Sequence, residues 1–470
     1  MKIYPLEPSF RVSSDLVIGV EPNKIFSISI YKQNMHNYFE FFSDIYCTSS
    51  CNVSVFRTET GIVFKSFDIN SPTQCDQDWE WPTITLSPAI TDVESAPYIL
   101  VAYEVTAEAT PVTEFGFRCA ARQPLNGYPP DSDNMALVVG KPASQFAKIA
   151  YVIPIATYHA YNSIGGGCFY DDLIHGTKAV SLVTLRRPGG GLGAQLGEPP
   201  DPYDSLSPRQ QFTHWDAKFV RWMILNKIRC DFYTDLDLHD NKSLNLKRYN
   251  CVISVGHHEY WSQEMRDNLS SFKEAGGNVA VFGANTCFRP VSFGRKGTAE
   301  ALKVVRREGN YWPENNEHEL LGVSYGFGGG KWGEWEAGRW SKTEREAIGF
   351  QVQQPDHWVF AGCQIVDNSF GANDRLIGYE ADGIPEGSNK FNVLAQSIDL
   401  TEWDRGDIGT KTGAAVLGIF GDESGTGAKT GIVFACGTTD WARVLVDTEA
   451  ESHSIVSKIT LNVFKSLSGE

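Results

Sequence analysis

Apolar and polar residues alternate along Phe26-Ser27-Ile28-Ser29-Ile30 and again along Cys51-Asn52-Val53-Ser54-Val55-Phe56, the two-residue period of a half-buried strand. Tyr98-Ile99-Leu100-Val101-Ala102-Tyr103 is a continuous apolar run suited to a strand covered on both faces. No helical period lies between these segments, so residues 1–125 read as an N-terminal, immunoglobulin-like β-sandwich domain. The stretch from Gln123 to Asp133 is rich in Pro, Gly, Asn and Asp, and residues 126–146 are taken as a linker.

From residue 147 the pattern changes. Ile149 to Ile155 reads as a buried strand, His214 to Lys227 as an amphipathic helix, and Asn250 to Val255 as a second buried strand. A helix from Ser262 to Ala275 follows, with Ser262 as N-cap and Gly276-Gly277 as the stop. Asn278 to Phe282 and Thr430 to Cys436 read as further strands, and Ser452 to Leu467 as a closing helix. Strands alternating with helices predict a mostly parallel sheet with helices on both faces, a three-layer αβα domain over 147–470. Residues 305–400 carry Trp312, Trp332, Trp335, Trp340 and Trp358 among glycines and charges, and read as an insertion of irregular β structure.

Composition narrows the partners. A net charge of -16 with scattered Lys and Arg excludes nucleic acid as the main ligand. No stretch has the length and apolarity of a membrane span, and Met1-Lys2-Ile3-Tyr4-Pro5 lacks the apolar core of a signal peptide, so a soluble cytoplasmic protein is expected. The ten cysteines show no CxxC spacing; Cys47 and Cys51 flank a turn but are expected to be reduced.

Ligands of parallel sheets collect at the carboxyl ends of the strands. That rule selects four segments: Ala156 to Asn162, Gly256-His257-His258-Glu259, Gly283-Ala284-Asn285-Thr286, and Gly437-Thr438-Thr439-Asp440-Trp441. Along an extended chain His257 and Glu259 share one face and His258 the other. The pair suits metal binding or acid–base work. It equally suits a polar strand end in which Glu259 caps or salt-bridges the next helix. The order HHE is not the zincin HExxH. The glycine runs 165–167 and 189–191 lack the Lys-Ser/Thr of a phosphate loop, and Cys287 lacks the glycines of a nucleophile elbow.

Together, Thr157-Tyr158-His159-Ala160-Tyr161-Asn162-Ser163-Ile164-Gly165-Gly166, Asp235-Leu236-Asp237-Leu238-His239, Gly256 to Ser262 and Gly431 to Trp441 resemble the C-terminal domain of the N,N-dimethylformamidase large (beta) subunit family. The resemblance implies a fold like a class I glutamine amidotransferase without the Cys nucleophile. It also implies Fe(III) held by two Tyr and one Glu. Glu259 matches the ligand carboxylate, His257 a His that supports the ligands without binding the ion, Asn285 a pocket Asn and Glu380 a pocket acid. Tyr161 is preferred to Tyr158 as the first phenol. The family's second phenol is expected near residues 180–188, where this chain has no Tyr, leaving Tyr170 and Tyr203 as candidates. Two phenolates and a carboxylate neutralise a trivalent ion; with one phenol missing, another divalent metal or none is the alternative. Asn162, Asp440 and Trp441 are expected to contact substrate. The implied activity is metal-dependent hydrolysis of a small amide, with a small companion subunit or a homo-oligomer as partner. The alternatives are a non-catalytic carbohydrate-binding member using the Trp-rich region, and amide or acyl processing of a biosynthetic intermediate.

Overall fold

Alternation along the strands builds a mixed α/β protein, mostly strand, with several sheets. A computed structural model describes residues 2–33, 39–41, 45–49, 53–58, 61–67, 72–88, 94–104, 110–111, 134–144, 147–170, 178–194, 211–240, 242, 244–294, 303–313, 316–329, 335–336, 339–340, 348–378, 380–400, 413–423 and 430–469. Among them, no helix is long and apolar enough to cross a membrane.

The N-terminal part forms a four-stranded and an eight-stranded sheet. Ile3, Ile18, Val20, Ile84 and Leu86 of the first share one core with Phe26, Ile28, Leu100 and Val138 of the second. The interval expected to be a linker holds a strand of the eight-stranded sheet, Met135–Lys141. Its Ala136 and Val138 enter the N-terminal core, while Met135, Leu137 and Val139 enter the core of the following sheet. This strand therefore joins the two parts instead of separating them. The turn formers before it masked an apolar run buried on both faces.

The second part is organised around a nine-stranded sheet. In spatial order its first five strands are Asp231–Thr234, Ile149–Ile153, Cys251–His257, Asn278–Ala284 and Val433–Ala435, all parallel. Gly413–Phe420, Phe391–Leu400, Phe350–Val352 and Ser369–Phe370 continue it antiparallel. Successive residues enter different cores. Ile253, Val255, Ala280 and Phe282 pack with the helices Asp216–Leu225, Trp441–Val446 and His453–Ser468. Val252, Val279 and Val281 pack with Met265, Leu269 and Phe272 of the helix Gln263–Glu274. Helices thus lie on both faces.

Two further expectations are revised. The 305–400 segment is not only an irregular insertion, because Phe350–Val352, Ser369–Phe370 and Phe391–Leu400 extend the main sheet. The strand expected to run to Ile155 ends at Ile153; Pro154 is followed by the helix Ile155–Tyr161, because Pro removes a ladder donor yet suits the start of a helix. The Ser262 N-cap appears as expected, its hydroxyl accepting from the Met265 amide at 3.2 Å.

Gly256 has φ +68°, and a Cβ there would lie 2.5 Å from Trp215. Gly256→Ala is therefore expected to cost about 2–5 kcal/mol, from left-handed strain plus overpacking. Gly166→Ala has φ +85° with nothing within 4 Å, and is expected to cost about 1 kcal/mol. Urea unfolding of both variants checks the difference; similar midpoints would contradict the packing assigned to Trp215.

Candidate active site

The carboxyl ends of the parallel strands supply the polar cluster. Cys251–His257 ends in His257 and is followed by Glu259 and Tyr260. Asn278–Ala284 is followed by Asn285, at φ +51°. Glu380 precedes the strand Ala381–Gly383 and is fixed by Thr439, whose amide donates to the Glu380 carbonyl at 3.1 Å. Tyr161 closes the helix after the first strand, and Tyr170 follows the short strand Gly167–Cys168.

Glu259, 1% exposed, is the centre. The Tyr161 hydroxyl lies 2.8 Å from Oε2, and the Tyr170 hydroxyl lies 2.7 Å from Oε1 and 2.9 Å from Oε2. The two phenol oxygens are 2.9 Å apart, with their rings stacked at 4.6 Å. Tyr260 donates to the Tyr170 oxygen at 2.6 Å, and Arg289 Nε donates to Glu259 Oε1 at 2.5 Å. Burial pushes the Glu259 carboxyl up, but Arg289, His257 and the two phenol hydrogen bonds outweigh it and hold the group below the usual range. Tyr170 is driven well above an ordinary phenol, first by burial and then by the Glu259 charge.

A second group adjoins the first. His257 Nε2 contacts Glu380 Oε2, and Asn285 Nδ2 lies 3.0 Å from both. The same Nε2 is 3.8 Å from Glu259 Oε2. Burial lowers the His257 pKa, but Glu380 and Glu259 together raise it above the ordinary imidazole value. Asp382 Oδ1 accepts from the Asn285 amide at 2.8 Å, and burial pushes that carboxyl up to about 8. Among the described residues, Asn285 Oδ1 is buried without a hydrogen-bond partner.

Glu259, Tyr161, Tyr170, His257, Asn285 and Glu380 are thus brought together. His258 points away, as alternation requires, its Nδ1 2.9 Å from Ser254 Oγ. Tyr158 donates to Asp216 Oδ2. Asn162 shapes its own loop, donating to the Pro188 carbonyl at 2.9 Å and accepting from the Ile164 amide at 2.9 Å. Asp440 lies 3.6 Å from Arg443 and 3.9 Å from His214. The Trp441 indole packs on Phe282 and donates to Thr460 at 2.9 Å. Tyr203 and Cys51 lie outside the described residues, as do the side chains of Trp332, Trp335 and Trp340. Trp312 and Trp358 spend their indole donors on the Cys287 carbonyl and Glu423. Cys287 is fully buried and its thiol is pushed up by that burial, which does not suit a reactive thiolate at that position.

Arg289 has no role in the sequence reading, and Tyr260 enters it only as part of the segment Gly256 to Ser262. Tyr260 directly follows Glu259, and a test of phenols adjoining the carboxylate would have found it. Arg289 had no signal beyond its place after a strand end.

Among the described residues, no three His, Cys, Asp or Glu side chains converge on a metal position; the donors that converge are two phenols and one carboxylate. Their fit to a hard trivalent ion follows from counting protons. With Glu259 ionised, three phenol protons serve five short oxygen–oxygen contacts: Tyr161 with Glu259 Oε2, Tyr170 with both Glu259 oxygens, Tyr161 with Tyr170 and Tyr260 with Tyr170. At least one pair of oxygens therefore meets with no proton between, a repulsion that a shared cation relieves. The Tyr161, Tyr170 and Glu259 Oε2 oxygens lie 2.8–2.9 Å from one another, the spacing of three oxygens on one face of an octahedral cation with bonds of about 2.0 Å.

A family model described as N,N-dimethylformamidase beta subunit-like, C-terminal, matches residues 53–453. The match begins inside the N-terminal sheets, well before the segments that carry the resemblance. No curated protein matches the chain.

The raised His257 pKa predicts a pH signature. The folded chain keeps a proton that an unfolded imidazole loses near 6.5, so this stabilisation is complete below about pH 6.5 and lost as pH rises through the higher folded value. Glu380→Gln removes the partner. In metal-free protein, the stability gap between wild type and variant is expected to be widest near pH 6 and to narrow toward pH 9. A gap independent of pH, measured by thermal unfolding, would rule the pairing out.

Proposed function

The chain belongs to the N,N-dimethylformamidase beta subunit-like family, and from that premise we propose that it is an iron-dependent amidohydrolase cleaving the C–N bond of a small amide. The observation that carries this reading is the convergence of the Tyr161, Tyr170 and Glu259 oxygens, with His257 Nε2 3.8 Å from the carboxylate. These three side chains would hold the ion, Tyr170 being the second phenol. A ferric ion there supplies Lewis acidity toward a carbonyl oxygen and water.

The chain's own residues do the rest. Hydrolysis adds water across the C–N bond, so the oxygen joins the carbonyl carbon and a proton must reach the departing nitrogen. His257, whose Nε2 faces both Glu259 and Glu380, is the group placed to carry that proton. Asn285 Oδ1, buried and without a partner among the described residues, offers an acceptor to a donor group of the substrate. Burial of Tyr161, His257 and Glu259 keeps bulk water from screening these contacts. On the same reading, the two N-terminal sheets are a β-sandwich and the later domain is the three-layer glutamine amidotransferase-like fold. The family's description as a beta subunit supports a companion subunit.

Metal analysis and visible spectra of purified protein test the proposal. Wild type is expected to hold about one iron per chain, the capacity of a single hard-donor site, with a phenolate-to-iron charge-transfer band. Glu259→Ala and Tyr161→Phe should lose both. His257→Ala should keep the iron while kcat on a responsive amide falls roughly 10²–10⁴-fold. A colourless wild type that also refuses added iron would sink the reading.

A further inference from the structure

The two oxygens of Glu259 are held differently. Oε1 receives Arg289 Nε at 2.5 Å and the Tyr170 hydroxyl at 2.7 Å, whereas Oε2 faces Tyr161 at 2.8 Å, Tyr170 at 2.9 Å and His257 Nε2 at 3.8 Å. Arg289 is itself fixed. Its amide donates to the Glu259 carbonyl at 2.9 Å, and its Nη1 donates to the Asn310 carbonyl at 2.9 Å. Its guanidinium lies over the Phe288 and Tyr311 rings, 5.3 and 5.8 Å from their centroids. Backbone and side chain therefore tie the same two residues together, with the Arg289 side chain 18% exposed.

We propose that Arg289 is a resident counter-cation for Glu259, holding Oε1 so that the cluster stays assembled without an ion and presenting Oε2 alone, beside both phenols, to an ion that enters. This rests on the iron reading above. A carboxylate with both oxygens free can chelate and fill two positions around a cation. With Oε1 engaged, Glu259 fills one, and a position stays open for substrate. The charged hydrogen bond also draws electron density from Oε2, leaving a bound ion more acidic. Arg289 and the ion then neutralise the same carboxylate, so their stabilising effects cannot add.

Arg289→Met and Arg289→Lys test this by thermal unfolding of the metal-free chain, before and after addition of ferric citrate, with visible spectra of the loaded forms. Metal-free Arg289→Met is expected to melt roughly 5–10 °C lower, because a buried carboxylate loses its partner. Ferric ion should raise its melting temperature more than it raises that of wild type. The charge-transfer band of the variant should move to shorter wavelength, as a carboxylate giving both oxygens makes iron a weaker acceptor. Arg289→Lys, with charge but no fork, should fall between, and it carries the comparison if Arg289→Met fails to fold. Equal ion-induced shifts and an unmoved band would reduce Arg289 to a structural role and leave the iron reading standing. A wild type that takes up no iron would overturn both.

Discussion

Everything in the polar centre beside the nine-stranded sheet answers to one constraint, a carboxylate placed where water does not reach. Glu259 is 1% exposed, and an unpaired charge at such a depth costs several kcal/mol. The neighbours needed to keep it ionised define the site: a guanidinium on one oxygen, phenol hydroxyls on both and an imidazole beyond. Removing one cationic partner of a buried pair typically costs about 3–5 kcal/mol, so this packing is cooperative.

The sheet makes that convergence possible. Parallel strands bring their carboxyl ends to one rim, where the backbone must turn without blocking the site. Gly256 turns at φ +68°, in contact with Trp215, and Asn285 turns at φ +51° with a side chain present. A non-glycine residue in that region carries strain of about 1–3 kcal/mol. Here the Asn285 amide is anchored on Asp382 at 2.8 Å, and its side chain is directed to His257 and Glu380. Strain is thus tolerated where it aims an amide into the cluster.

What could be read beforehand was whatever followed from period and punctuation. Cys251–His257 and Asn278–Ala284 are apolar runs ending in polar residues, so His257, Glu259 and Asn285 were accessible, and alternation correctly separated His258 from them. The tyrosines were not separable by period. Tyr158 and Tyr161 share one helix, yet one turns to Asp216 and the other to Glu259. Trp441 reads as a pocket residue because it closes the segment at a strand's carboxyl end, but a helix starts there and its indole packs in the core. Met135–Lys141 was hidden by the turn formers before it, and the contact of Arg289 with Glu259 spans 30 residues with no local trace.

Charge order ties these observations together. The site and its margin hold three buried acids, Glu259, Glu380 and Asp382, with two basic groups, Arg289 and His257. Glu259 touches Arg289 and is held below the usual carboxyl range; Asp382, which forms no salt bridge among the described residues, is pushed up to about 8, first by burial. The basic groups thus decide which acid ionises, and Arg289, Glu259, His257 and Glu380 form a row that alternates in sign once His257 is protonated. A further cation joining this row finds the carboxylates already engaged, and among the described residues the phenol protons in contact with Glu259 are those of Tyr161 and Tyr170. The phenols are therefore the part of the cluster whose ionisation can follow the arrival of an ion, and the carboxylate is the part that must be charged beforehand.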